Sequence, residues 1–259
     1  MAKIVSQITS IFVLVPAIAP SIGELILRVG DWRDIFLMLL LVSIIGFLWF
    51  AIRQKETLAK NKRIPIRPKT IIANTKEVIS NSTTLRYTLA AALNFGAFIG
   101  YLASCQQIFA GYGASKTFAL WFASFALTLG LASYFNSKLV NTLGMRALIR
   151  YALGIILCVS LVYLVYGCFY ELTFFGFLLF IYPTFSATGI LFGNLNAVAM
   201  EPMGHIAGIA SAVIGFFQTL ISVCIGGFIG QMFDGSPTAL IAGYFFCSCF
   251  AYIFVSKRT

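Results

Sequence analysis

Asn194-Leu-Asn196-Ala-Val-Ala-Met200-Glu-Pro202-Met-Gly204-His205-Ile-Ala-Gly208-Ile-Ala-Ser211-Ala-Val-Ile-Gly215-Phe-Phe-Gln218 joins two long apolar runs through one short polar turn. A helix crossing the hydrocarbon of a bilayer needs about 20 mostly apolar residues. Leu172 to Met200 and Ile206 to Phe233 each meet that length even when tilted. The stretch therefore reads as a helical hairpin in lipid. Its turn carries the only histidine of the chain, His205.

The same reading extends outward. The 259 residues are 60% hydrophobic and 10% charged, with a mean hydropathy of +0.94, whereas a soluble domain is about 25% charged. That much apolar surface cannot be hidden from water, and repeated runs of spanning length predict an all-α polytopic membrane protein rather than a barrel. Spans are predicted at Ile4 to Leu27, Ile35 to Ile52, Tyr87 to Ala110, Phe118 to Phe135, Ala147 to Phe169, Leu172 to Met200, Ile206 to Phe233 and Ala239 to Val255, eight transmembrane helices in all. No cleavable signal peptide is predicted. The abrupt start at Met1 suggests a missing upstream part.

The largest break in composition is residues 53–86, with nine Lys or Arg, two acids and no span. It reads as a basic cytoplasmic linker with a short surface helix around Thr70 to Ser80, dividing residues 1–52 from residues 87–259. Threading the spans with Met1 inside places fifteen basic residues in the cytoplasm against Arg28, Arg33 and Lys116 outside, and that asymmetry orients the chain with both termini inside. The net charge of +10 is thereby explained without a nucleic-acid partner. Six cysteines, mostly within apolar runs, read as small packing residues. No phosphate-binding loop, metal cluster or nucleophile motif is present, so no cofactor, metal or catalytic residue is assigned.

Asn-x-x-Ala-x-x-x-x-Pro-x-Gly-x-x-Ala-Gly-x-Ala-Ser-Ala-x-x-Gly-Phe-x-Gln, carried here by Asn194, Pro202, Gly204, Gly208 and Ser211 among others, resembles the tenth-to-eleventh helix hairpin of the Bcr/CflA drug-efflux transporters. These are a branch of the major facilitator superfamily. The resemblance implies proton-coupled antiport that exports small amphipathic drug-like compounds across the inner membrane. It also implies that this chain is a partial major facilitator fold: the last two helices of the N-terminal half, the linker, and the complete C-terminal six-helix half built from two inverted three-helix repeats. Helices one to four would be missing, and with them the acid that the family uses for proton coupling.

Two further segments fit the same pattern. Ala19-Pro20-Ser-Ile-Gly23-Glu24 falls on the family's antiporter motif of the fifth helix, with Ala19 and Glu24 replacing glycines. Pro16, Pro20 and Gly23 are the gating candidates there, because proline bends a helix and glycine admits a close neighbour. Packing alone explains the same residues. Gly144, Arg146 and Arg150 resemble the superfamily's cytoplasmic loop motif, and plain positive-inside anchoring is the alternative.

Polar and aromatic side chains within spans mark a candidate path, since an unpaired polar group in hydrocarbon is costly. Asn94, Tyr101, Trp121, Ser124 and Gln218 are the substrate-cavity candidates; for the amides, interhelical hydrogen bonding competes with that role. Glu24 is the only acid placed within a span and the candidate proton carrier, against snorkelling to the interface or pairing with Arg28 four residues on. Four Gly-x-x-x-Gly pairs, at Gly96, Gly189, Gly204 and Gly226, predict close helix crossings. The expected partners are lipid, a small-molecule substrate, protons and an N-terminal half supplied in trans. A non-transporting fragment or split-gene partner that only packs with other helices is the alternative.

Overall fold

The computed structural model describes residue 19 and residues 22–55 and 68–256. Pro16, Pro20, most of the expected first span and the linker stretch 56–67 lie outside the described residues. Residues 22–29 are helical. Eight longer helices follow: α1 (Trp32–Arg53), α2 (Pro68–Ser80), α3 (Ser82–Gly111), α4 (Phe118–Leu143), α5 (Met145–Gly167), α6 (Phe174–Met200), α7 (Ala207–Gln231) and α8 (Thr238–Ser256). Among the described residues six stretches are long and apolar enough to cross a membrane, and one of them, Phe174–Gln231, contains both α6 and α7.

Several helices begin or end beyond the apolar segments that announce them, because their ends are set by caps, whereas α6 and α7 are shorter than the spans expected there. Asp31 accepts from the Trp32 amide while Asp34 accepts from the Asp31 amide, a capping box at the start of α1. Asn81 Oδ1 accepts from the Thr84 amide and starts α3 five residues before the expected span. α4 runs on to Leu143, where Gly144 at φ +76° ends it and begins α5. A glycine tolerates that backbone without strain.

Helices α3 to α8 form one bundle. α3 lies against α6, α7 and α8; α6 also lies against α4 and α5; and α5 meets α8. Exchanging α3, α4 and α5 with α6, α7 and α8 maps this contact set onto itself: α3 on α7 becomes α6 on α4, and α3 on α8 becomes α6 on α5. Two inverted three-helix units produce that pattern.

Glycine sets the spacing of the α3–α7 pair. A Cβ added at Gly96 would stand 2.8 Å from Ile225 Cβ, one at Gly100 would stand 2.8 Å from Ile229 Cγ2, and one at Gly230 would stand 2.9 Å from Ala103 Cβ. One at Gly226 would collide with the Ile99 side chain. Contacts that advance together along both chains define parallel helices. The α4–α6 pair is parallel as well: a Cβ on Gly189 would collide with the Leu129 carbonyl oxygen, and Ser124 and Asn136 each bond a residue 58 positions on. Two of the four glycine pairs therefore make the expected crossing in full. Gly189 makes it alone, because Gly193, Gly204 and Gly208 face open space.

The core is apolar and aromatic, with Phe109, Phe177, Phe180, Ile156, Leu191 and Tyr244 almost wholly buried. α1 is the contrast. None of its 22 residues is buried, and Phe47, Trp49 and Phe50 are all about two-thirds exposed.

Candidate functional site at the end where the motifs meet

At one end of the bundle the turn before α5 and the turn between α6 and α7 come together. Glu201-Pro202-Met-Gly204-His205-Ile206 forms a 3₁₀ segment, and Met203 within it leaves helical geometry at φ −106° and ψ 18°. Pro202, which has no amide hydrogen to donate, sits where the helix changes type. Arg146 Nη2 donates to Glu201 Oε2 at 2.7 Å, so the loop motif is tied to the hairpin motif by an exposed ion pair. His205 Nε2 lies 2.8 Å from Glu77 Oε1, which brings α2 onto the same turn. Gly144 supplies the sharp turn, while Arg150 points outward and exposed.

Below this turn, inside the bundle, Asn136 and Asn194 exchange hydrogen bonds. Asn194 Nδ2 donates to Asn136 Oδ1 at 2.7 Å, and Asn136 Nδ2 donates to Asn194 Oδ1 at 3.3 Å. Both residues are buried, so the reciprocal amide pair meets the need for partners that apolar surroundings impose. Sequence reasoning does not reach Asn136 or Glu201 as partners. No periodicity reveals which of several helices supplies a partner.

The cavity candidates divide into two groups. Ser124 Oγ and Tyr182 Oη are 2.9 Å apart, and the Ser124 hydroxyl is also 2.7 Å from the Trp121 carbonyl oxygen. Around them Phe125, Tyr182, Phe185 and Tyr101 form edge-on ring contacts, with Tyr101 and Phe185 centroids 4.9 Å apart, and Trp121 meets Phe174 edge-on at 5.5 Å. The structure thus gathers Tyr101, Trp121 and Ser124 between α3, α4 and α6. Asn94 and Tyr101 are buried at 3% and 1% exposure, which places them within the packing of the bundle rather than on an open surface. Gln218, half-buried on α7, stands apart from this cluster, and its carbonyl accepts from Ser222 Oγ at 2.5 Å.

At the far side of the chain, Arg28 Nη2 donates to Glu24 Oε1 at 2.8 Å, an exposed pair one helical turn apart. Gly23 faces open space. Among the described residues Ser211 bonds only its own helix, through the Gly208 carbonyl at 3.0 Å.

Spanning helices paired in parallel through glycine, and buried amides held by each other, define a polytopic helical membrane protein whose charged groups gather at the helix ends. The sequence profile of the Major Facilitator Superfamily matches residues 2–230. The chain belongs to that superfamily, a family of transporters and not of enzymes.

Among curated relatives, the chain is 26% identical to the "Bicyclomycin resistance protein homolog" of Haemophilus influenzae over 100% of its own length and 66% of the relative's. It is 25% identical to the "Uncharacterized MFS-type transporter YdgK" of Bacillus subtilis over 89% of this chain and 58% of that one. It is 24% identical to the "Multidrug resistance protein MdtL" of Shewanella oneidensis over 85% of this chain and 55% of that one. The chain spans between 55% and 66% of the length of these relatives.

Proposed function

We propose that this chain provides helices five to twelve of a proton-coupled antiporter that exports small amphipathic drug-like compounds across the cytoplasmic membrane, with both termini in the cytoplasm. Residues 1–52 close the N-terminal half, residues 53–86 form the basic linker, and residues 87–259 are the complete C-terminal half. The observation that carries the reading is the superfamily match across residues 2–230 on a bundle whose contacts repeat as two inverted three-helix units. Inverted repeats are the architecture with which alternating access is built. The names of the bicyclomycin and multidrug relatives support the drug-like substrate class.

Within this reading, Ser124, Tyr182 and Trp121 present hydroxyls and ring faces to a flat apolar compound. The Arg146–Glu201 pair and the Gly144 turn act as a latch at the cytoplasmic end, opening and closing as one half rocks against the other. Glu24 is held by Arg28, so the proton path runs through groups that the other helices supply.

The test is efflux of a fluorescent amphipathic compound from a drug-sensitive host. The chain is expressed alone and together with a fragment carrying the four upstream helices of a full-length relative. Efflux by the pair that a protonophore abolishes is the expected result. A second reading, that the chain packs with other helices but does not transport, is favoured by α1, which buries none of its residues. No efflux from the pair, with both parts present in the membrane, would establish that reading instead.

A further inference from the structure

The end of the bundle opposite the motif turns holds a pocket of about 540 Å³ between the last turns of α3 and α5, the 168–172 loop and the start of α8. Its lining includes half-buried Leu164 and Leu172 and, almost closed off, Ile108 and Ile241 at 1% and 3% exposure. Its walls are aromatic, with the rings of Tyr112, Tyr163 and Tyr170 among the lining. The Tyr112 hydroxyl donates to the Leu172 carbonyl at 2.7 Å, which pins the loop to the end of α3 and makes the wall a fixed part of the fold.

Charge in the pocket has one sign. Glu171 is the lining residue that carries a carboxyl group, and among the described residues no lysine or arginine lines the pocket. Asp234 adjoins the lining residue Gly235. Its carboxylate accepts from the Ser236 hydroxyl at 2.8 Å and the Ser236 amide at 3.0 Å, which holds it below the usual carboxylate range and keeps it negative at neutral pH.

We propose that this pocket binds an amphipathic ammonium ion, its charged group against Glu171 and the tyrosine rings and its apolar part on Leu164 and Leu172. An anion would meet a carboxylate with no cation to hold it. A bare metal ion would need several oxygen ligands in place of ring faces. An organic cation gains from both wall types at once, since aromatic faces and carboxylates each attract it. The site is separate from the Ser124–Tyr182 cluster, and binding there does not depend on the chain transporting anything. A free compound and a phosphatidylethanolamine headgroup both carry such an ammonium, and lipid composition separates the two sources.

Cys168 lines the pocket as an exposed free thiol and reports on it. The full chain is placed in nanodiscs, which leave both membrane faces open to reagents, so the readout is independent of orientation. Cys168 is labelled with a trimethylammonium-ethyl or a sulfonatoethyl thiosulfonate, and a Cys168→Ser chain gives the background from the other thiols. At a separation of about 6 Å across water a unit negative charge would attract one reagent and repel the other by roughly threefold each, so a cation-to-anion rate ratio about tenfold above that of a small free thiol is the result expected. In Glu171→Gln, a change at an exposed position, the ratio should fall to within about threefold of the free thiol.

Benzyltrimethylammonium should slow labelling of the wild-type chain and not of Glu171→Gln. If discs of phosphatidylethanolamine and phosphatidylglycerol already protect Cys168, and replacing the ethanolamine lipid with a neutral glycolipid removes the protection, the occupant is the headgroup. Protection by the added compound alone, equal in both lipids, assigns a free cation. A rate ratio equal to that of the free thiol, or one that Glu171→Gln leaves unchanged, or the absence of protection in every arm, overturns the site.

Discussion

Asn136 and Asn194 show how a single side chain in lipid is governed by its partner. Each amide satisfies the other inside the bundle, at 2.7 and 3.3 Å. Asn194→Ala leaves the Asn136 amide buried with no partner from α6, and the expected loss is about 1–3 kcal/mol, the cost of a buried polar group left unpaired. The double substitution Asn136→Leu with Asn194→Leu removes both polar groups together, so it should cost less than the sum of the two single Leu changes. Heat-induced loss of the monomeric peak on size exclusion measures all four chains. Additive losses would mean that the bond contributes nothing. Asn194 was legible in the sequence as a polar residue in an apolar run, and so were Asn94 and Tyr101. Their surroundings were not. Hydropathy locates a residue along a span, whereas the direction it faces depends on neighbours more than 50 positions away, and the structure buries Asn94 and Tyr101 within the bundle.

Between helices, glycine decides which pairs approach. On α7 the glycines are not equivalent, although the sequence presents them in one apolar run. A Cβ at Gly226 would meet the Ile99 side chain and stand 3.0 Å from the Gly100 amide nitrogen, so backbone would have to move. A Cβ at Gly208 or Gly215 would meet nothing within 4 Å. Gly226→Ala should therefore destabilise the bundle by about 1–3 kcal/mol, the cost of overpacking. Gly208→Ala and Gly215→Ala should be neutral or stabilising by up to about 1 kcal/mol, because alanine favours the helix. The same thermal assay separates them, and equal behaviour of Gly226→Ala and Gly215→Ala would refute the close-crossing account. Spacing announced four glycine pairs but could not rank them, since a Gly-x-x-x-Gly repeat records the chance of a close approach and not whether a neighbour takes it.

The turns that join the helices support a prediction of their own. Arg146 and Glu201 are both about half-exposed, so their bond should add less than about 1 kcal/mol to stability. If it is a latch, its effect belongs in the transport cycle. Arg146→Glu should abolish efflux by the reconstituted pair, and Arg146→Glu with Glu201→Arg should restore a substantial part of it while both chains fold normally. Restoration absent from the double reversal would leave the arginine as an anchor to the membrane surface.

For the molecule as a whole, direction along the membrane normal is set jointly by packing and by charge. The α3–α7 and α4–α6 pairs are parallel, as they must be when successive spans alternate, so every turn can be assigned to one end or the other. The Gly144 turn, the Glu201–Ile206 turn and the start of α3 share one end; the Ser115–Thr117 turn, the 168–173 loop and the start of α8 share the other. Lys138, Arg146, Arg150 and Arg86 fall at the first end, and Lys116 at the second. This division was legible from the sequence because hydropathy counts spans and basic residues mark the cytoplasmic side. What covers α1 was not, because an evenly apolar helix has no face that names its neighbour, and lipid and protein satisfy it alike. Charge predicts that the first end is cytoplasmic. In a Cys168→Ser background, Ser115→Cys should react with a membrane-impermeant maleimide on intact cells. Asn141→Cys, an exposed position near the other end of α4, should react only after permeabilisation. The opposite pattern would invert the chain, placing the Arg146–Glu201 pair outside and requiring the basic linker to have crossed the membrane. Reaction at both sites on intact cells would mean that the basic residues do not fix a single orientation of this chain.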